Sequence, residues 1–171
     1  DTESSIWSGA TDNDWGTSTN WTEGVPTIDI AAIIPSGLSN YPTISTGTAA
    51  VSKTIAMASG TSLIASGTAT LSGNISYARL SLGTDWHLLS SPLVGEDLGD
   101  VISTTALAMG TGGNVGFSTY NNSTPSWEYY TTSSSDSLHS GTGYSVKLTS
   151  GDVSFTGKMP ISDVSATTTV G

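Results

Sequence analysis

Few side chains in this sequence could do covalent chemistry. His87 and His139 are the only imidazoles and cysteine is absent, which removes thiol nucleophiles, thiolate zinc sites and disulfides. Serines are plentiful, but no G-x-S-x-G elbow occurs, and no strand–turn–helix context is expected that could hold one. His87 falls in the apolar segment WHLLSS (86–91) and reads as a strand residue, while His139 in DSLHSG (136–141) reads as a loop residue. Glycosidic cleavage needs two carboxyl groups about 5–10 Å apart in a cleft. The acids here fall in turn-like segments, and E-D-L-G-D (96–100) reads as a solvated loop. The chain is therefore expected not to be an enzyme.

Binding chemistry is better represented. Trp7, Trp15 and Trp21 lie close together in sequence and admit two readings. As a platform, their indoles would pack on the C–H faces of pyranose rings while neighbouring Asp or Asn side chains hydrogen-bond the hydroxyls. As a cap, they would shield the open end of a stack of strands. The cap is preferred, with Trp15 expected to be the most exposed of the three. Between the first two tryptophans, Asp12, Asn13 and Asp14 offer three oxygen-bearing side chains in a tight loop, a donor set suited to calcium. Asx-turns account for the same residues without a metal, and the EF-hand spacing is absent.

A second aromatic group joins Tyr120, Asn121 and Asn122 to Trp127, Glu128, Tyr129 and Tyr130. On a strand, 127 and 129 share one face and 128 and 130 the other, so at least one pair belongs to a core. Tyr130 with Glu128 is taken as the pair left for a sugar-binding face. The candidate ligand-binding residues are thus Trp15, Tyr120, Trp127, Glu128 and Tyr130, and the candidate calcium ligands Asp12, Asn13 and Asp14. No other cofactor is expected.

The elements that would position these residues are strands. The 171 residues are rich in Ser, Thr and Gly, and only 11% are charged; Thr suits a pleated surface, Ser and Gly suit turns. Leu and Ala show no 3.6-residue periodicity, so the chain reads as essentially helix-free. The formal net charge of −10, from 14 acidic and 4 basic residues, repels phosphate. Nucleic acid is not expected as a partner. No apolar run approaches the roughly 20 residues of a membrane-spanning helix.

Two halves differ in texture. Residues 1–78 carry the three tryptophans and then short apolar stretches closed by Ser-Gly: IDIAAIIPSG (28–37), VSKTIAMASG (51–60), LIASG (63–67) and ATLSG (69–73). Stacked rungs with Gly at the corners would satisfy this pattern, giving a Trp-capped, β-helix or solenoid-like stack; an antiparallel sandwich is the rival. Residues 79–171 read as a β-sandwich-like unit. In it, RLSLGTDWHLLSSPL (79–93) gives two strands about a Gly turn. Residues 94–126 form a long variable region with a loop at GTGGN (110–114), and SWEYYTT (126–132) is an aromatic strand. GTGYSVKLTSGDVSFTG (141–157) reads as a hairpin with Tyr144, Val146, Leu148, Val153 and Phe155 on one face.

At this point a family resemblance enters. IWSGATDNDWGTSTNWTEGVPT (6–27) resembles the W-x-G…W…N-W…G-x-P opening of many secreted Bacteroidetes proteins, and LSNYPTIS (38–45) resembles its continuation. WHLLSSPLVG (86–95), WEYY (127–130) and 141–157 are similar to a W-x-L-x-S-x-P β module of the same proteins. The resemblance implies type IX secretion and residence on the cell surface or outside the cell. It also implies a place in adhesins, gliding-associated proteins or polysaccharide-degrading assemblies. Recurrence of the Trp-rich opening across such diverse roles favours the cap. In relatives a stretch like VSATTTVG (164–171) runs on into a further strand, so a fragment truncated at its C-terminal end is expected.

The leading expectation is a non-catalytic surface, adhesion or structural module of a larger secreted protein. The alternative is a carbohydrate-binding module attached to a polysaccharide-degrading enzyme. Expected partners are polysaccharide or other surface proteins, including strand exchange with a neighbouring module at an unpaired sheet edge.

Overall fold

The computed structural model describes residues 3–79, 82–161 and 164. The fold is broadly all-β, with 42% of residues in strands and 8% in helix. The chain divides into two compact units, with the change at Ala78/Arg79 and a return to the first unit from Thr156. The second unit was expected to run on uninterrupted to the end of the chain. The segment VSATTTVG, apart from Val164, lies outside the described residues.

In the first unit, β1 (Ser4–Ile6), β2 (Ala31–Ile34), β4 (Ala49–Met57) and β6 (Thr70–Arg79) lie side by side in that order, while β3 (Thr43–Ile44) pairs with β5 (Ile64–Ala65). Every one of these pairs is parallel. Thr43 sits beside Ile64 and Ala49 beside Thr70, the same sequence interval in both sheets. Ile34, Ile44, Ile55 and Ile75 are fully buried, as alternation along a one-sided sheet requires.

In β4 the register shifts between Val51 and Thr54. Lys53 and Thr54 both face out there, so Ser52 is buried beside the apolar positions. Its hydroxyl accepts from the Ala32 N–H at 3.1 Å and lies 2.9 Å from the Ile30 carbonyl, replacing ladder bonds lost to the bulge. Gly73, at φ +133°, packs against the Ser52 carbonyl where a Cβ would collide. Gly37, Gly60 and Gly67 take positive φ at the bends that close their stretches, which explains the recurrence of Gly there, whereas Gly73, expected as a further closing, lies inside β6.

The second unit holds β7 (Trp86–Leu89), α1 (Leu98–Thr104), β8 (Asn114–Asn121), β9 (Ser126–Thr131) and β10 (Tyr144–Lys147), and the boundary between the units falls within β11 (Val153–Gly157). Four strands form an antiparallel sheet in the order β7-β10-β8-β9. Its inner face carries Val115, Phe117, Tyr144 and Val146, all buried, with the Phe117 ring 5.3 Å from that of Tyr144.

Two sequence expectations are corrected here. E-D-L-G-D is not a solvated loop but opens the short helix α1. Asp97 caps α1, its carboxylate accepting from Gly99 N at 2.7 Å and Asp100 N at 3.3 Å. Leu98 and Val101 then bury on one side, three residues apart. Glu96 is also buried and accepts from the Ser91 hydroxyl at 3.1 Å. Residues 141–157 are not a hairpin, because β10 has β7 on one edge and β8 on the other, and β11 belongs to the other sheet, next to β6. The burial of Tyr144, Val146, Leu148, Val153 and Phe155 is nonetheless as expected. The long variable region contains α1 and β8, whose apolar positions alternate with Gly and Ser and so escape a hydrophobic reading.

Candidate aromatic binding face

The three N-terminal tryptophans are structural. Trp7 and Trp21 meet edge to face at 5.0 Å, and Trp15 and Trp21 at 4.8 Å. The Trp7 indole N–H donates to the Asn40 carbonyl and the Trp21 indole N–H to the Trp15 carbonyl, both at 2.8 Å. Trp15 was expected to be the exposed member, and it is 1% exposed. Trp21 covers it, and no indole face is left for a ligand.

Asp12, Asn13 and Asp14 sit in the loop between them, and the hub of that loop is Asn20 of the N-W pair. Asn20 is fully buried. Its amide donates to Asp12 Oδ1 at 2.7 Å and the Asp14 carbonyl at 3.1 Å, and its oxygen accepts from Thr11 N at 2.9 Å and Asp12 N at 3.2 Å. Asp12 Oδ1 also accepts from Asp14 N at 2.8 Å and Oδ2 from the Thr17 hydroxyl at 3.2 Å. Asp14 Oδ1 accepts from Gly16 N at 2.8 Å. These Asx-turns employ the carboxylates on protein donors. Among the described residues no group of three or more His, Cys, Asp or Glu is placed to hold a metal.

The Asp14 N–H first, and then the Asn20 amide, hold the Asp12 carboxyl below its ordinary value of 3.8. A carboxyl depressed in the folded state stabilises fully above that ordinary value, and the contribution fades as pH falls through the folded value. Stability of the first unit is therefore expected to decline below pH 3.8. In Asp12→Asn that part of the decline should be missing, as read by denaturation midpoints between about pH 5 and pH 2.

The second aromatic group forms an open face. Cross-strand pairing puts Leu88, Ser145, Ser118 and Tyr129 in one row, Trp86 opposite Lys147 in a second, and Tyr120 opposite Trp127 in a third. All of these project from the outer side of the sheet. Trp86, Tyr120, Trp127 and Tyr129 are each 44–46% exposed. Large rings sit mainly on the outer strands β7 and β9, while the central strands carry Ser145, Ser118 and Gly116. Trp86 and Tyr129 lean in from opposite sides and meet edge to face at 6.0 Å.

Two recesses adjoin this pair along β8. One of about 240 Å³ is lined by Trp86, Ser118, Trp127, Tyr129 and Ser145. The other, of about 360 Å³, extends past Gly116 and Lys147 to Met109. A Cβ on Gly116 would strike the Lys147 carbonyl, so the floor there must be bare. The Ser118 hydroxyl is buried with no hydrogen-bond partner.

No family model, curated protein or solved structure matches this chain. The face has to be read from its own chemistry. Of the sequence candidates, Tyr120 and Trp127 belong to it and pack together at 5.2 Å. Glu128 and Tyr130 share a strand face, as alternation demands, but it is the opposite one, and this corrects the choice of the open pair. Glu128 accepts from the Asn121 amide at 2.6 Å at the sheet's edge. Tyr130 packs on Phe117 at 5.8 Å, and burial raises its phenol pKa. Tyr129, placed on one face with Trp127 but not chosen as a candidate, belongs to the open face too; Trp86, Leu88, Ser118, Ser145 and Lys147 were missed, and the one signal for them was the alternation of Trp86 and Leu88. Rings, hydroxyls and one ammonium can stack on a ligand and hydrogen-bond it. His87 pairs with Val146, an inner-face residue, so no imidazole sits among the outer rings.

Proposed function

We propose that this chain is a non-catalytic module of a larger secreted protein, displayed outside the cell or on its surface, that binds polysaccharide through the outer face of β7-β10-β8-β9. One observation carries the reading: four aromatic rings gather half-exposed on a single sheet face, an apolar patch of the kind that marks an interaction surface. Rings flanked by hydroxyls suit the alternating apolar and polar faces of a sugar better than they suit an inert stalk. The resemblance to secreted Bacteroidetes proteins is consistent with this and with type IX export.

The parallel pairing of successive strands supports a short solenoid-like stack for the first unit. The buried inner face supports sandwich-like packing for the second. The acidic surface argues against nucleic acid and anionic lipid as partners.

The test is a glycan array followed by titration calorimetry on the strongest hits. Trp86→Ala and Trp127→Ala are each expected to weaken binding at least tenfold, about 1.4 kcal/mol, with the far-ultraviolet circular dichroism unchanged. An array without hits, or hits indifferent to both substitutions, would sink the proposal.

A further inference from the structure

We infer that the face selects acidic sugars: its ligand is a uronate-bearing chain whose ring stacks at Trp86 and Tyr129 and whose carboxylate meets Lys147. This rests on the polysaccharide reading above and adds the charge of the ligand.

Three observations converge. The first is charge. The chain carries 14 acidic residues against 4 basic ones, yet the residues lining the two recesses include Lys147 and neither Asp nor Glu. On a molecule of net charge −10, such a spot is a local inversion of sign, where a bound anion escapes the general repulsion.

The second is the placement of that charge. Lys147 lies opposite Trp86 in the β7–β10 ladder, and its Nζ stands 6.0 Å from the centre of the Trp86 ring. The indole holds the ammonium beside the stacking surface. No carboxylate pairs with Lys147 among the described residues, so its charge is free for a ligand. Beside rings that displace water, an ammonium–carboxylate contact is stronger than in bulk solvent.

The third is the floor. Ser118 is 1% exposed, lines the smaller recess beside Trp86 and Tyr129, and leaves its hydroxyl without a partner. A buried hydroxyl left unpaired is costly. A sugar hydroxyl entering that recess would satisfy it, and a purely apolar peptide side chain would not. Aromatic stacking, an unmet hydroxyl and an unpaired ammonium together describe a sugar acid.

The experiment titrates the whole chain with oligogalacturonate and alginate oligomers, and in parallel with cellohexaose, xylohexaose and fully methyl-esterified oligogalacturonate. At least one uronate is expected to bind no less than tenfold tighter than its esterified or neutral counterparts. Lys147→Met should erase that preference and Lys147→Arg retain it. Ser118→Ala should weaken binding of acidic and neutral chains alike, and high salt should weaken the uronate alone. Neutral sugars binding as tightly as uronates, with Trp86→Ala still abolishing both, would overturn the acidic preference while leaving the polysaccharide reading intact. Binding of no sugar in either set would overturn both.

Discussion

Trp7→Ala is expected to cost the first unit about 3–5 kcal/mol of stability, the range for removing a large buried aromatic. Trp7 is 1% exposed, and its ring closes one side of the three-indole cluster through its edge contact with Trp21. Its backbone bridges to Trp21 and donates from its N–H to the Ile33 carbonyl at 2.8 Å. The substitution therefore opens a cavity at the place where the chain entry is tied to β2. It also strands the Asn40 carbonyl, which accepts the indole N–H. Trp7→Phe keeps most of the packing and loses that hydrogen bond, so its cost should be nearer 1 kcal/mol. Urea unfolding followed by circular dichroism reads both. Trp86→Ala, at a half-exposed ring, should shift the midpoint far less. Equal midpoints for Trp7→Ala and Trp86→Ala would contradict the division into a buried cluster and an open face.

Asn20→Leu should be nearly as damaging, at about 3 kcal/mol or more. Leu fills a similar volume, so the loss comes from polarity rather than from a cavity. Asn20 makes four hydrogen bonds while fully buried. Removing its amide takes four hydrogen bonds at once from two backbone N–H groups, a carbonyl and the Asp12 carboxylate, so the turn that they hold around a buried side chain loses its tie. Asn20→Asp separates the contributions: it keeps an acceptor for the two N–H groups and sets a second negative charge against Asp12, so it should recover stability as pH falls. A denaturation midpoint for Asn20→Leu within error of the parent would show that the loop holds without its hub.

These effects bear on how the motif in the sequence is to be understood. The Trp and Asn residues of the opening segment attract attention as sugar-binding types, and their spacing alone does not separate platform from cap. The separation comes from contacts that reach across the unit, such as Trp7 to Asn40 and Ser8 to Asn20. Once each indole is edge-on to another, the cluster has no free face.

The second unit shows the same limit differently. Alternation correctly pairs 127 with 129 and 128 with 130, but period two says only which residues share a face, and not which face is covered. That sign is set by register. Ser118 opposite Tyr129 and Ser145 opposite Ser118 place the rings of β9 on the side of the small central residues. A slip of one residue would have sent Trp127 and Tyr129 inward.

From the sequence alone follow the strand-rich class, the Gly corners at Gly37, Gly60 and Gly67, the change of texture at residue 78 and the burial of Val146, Val153 and Phe155. All of these depend on local chemistry: backbone freedom at Gly, alternation along a strand, and composition. Helix α1, the partners of β10 and the open face of Trp86, Trp127 and Tyr129 were decided only by tertiary structure. A short capped helix leaves too few residues for a periodic signal, and a strand's neighbours and covered side depend on segments far away in the chain, whose pairing energy no local window contains.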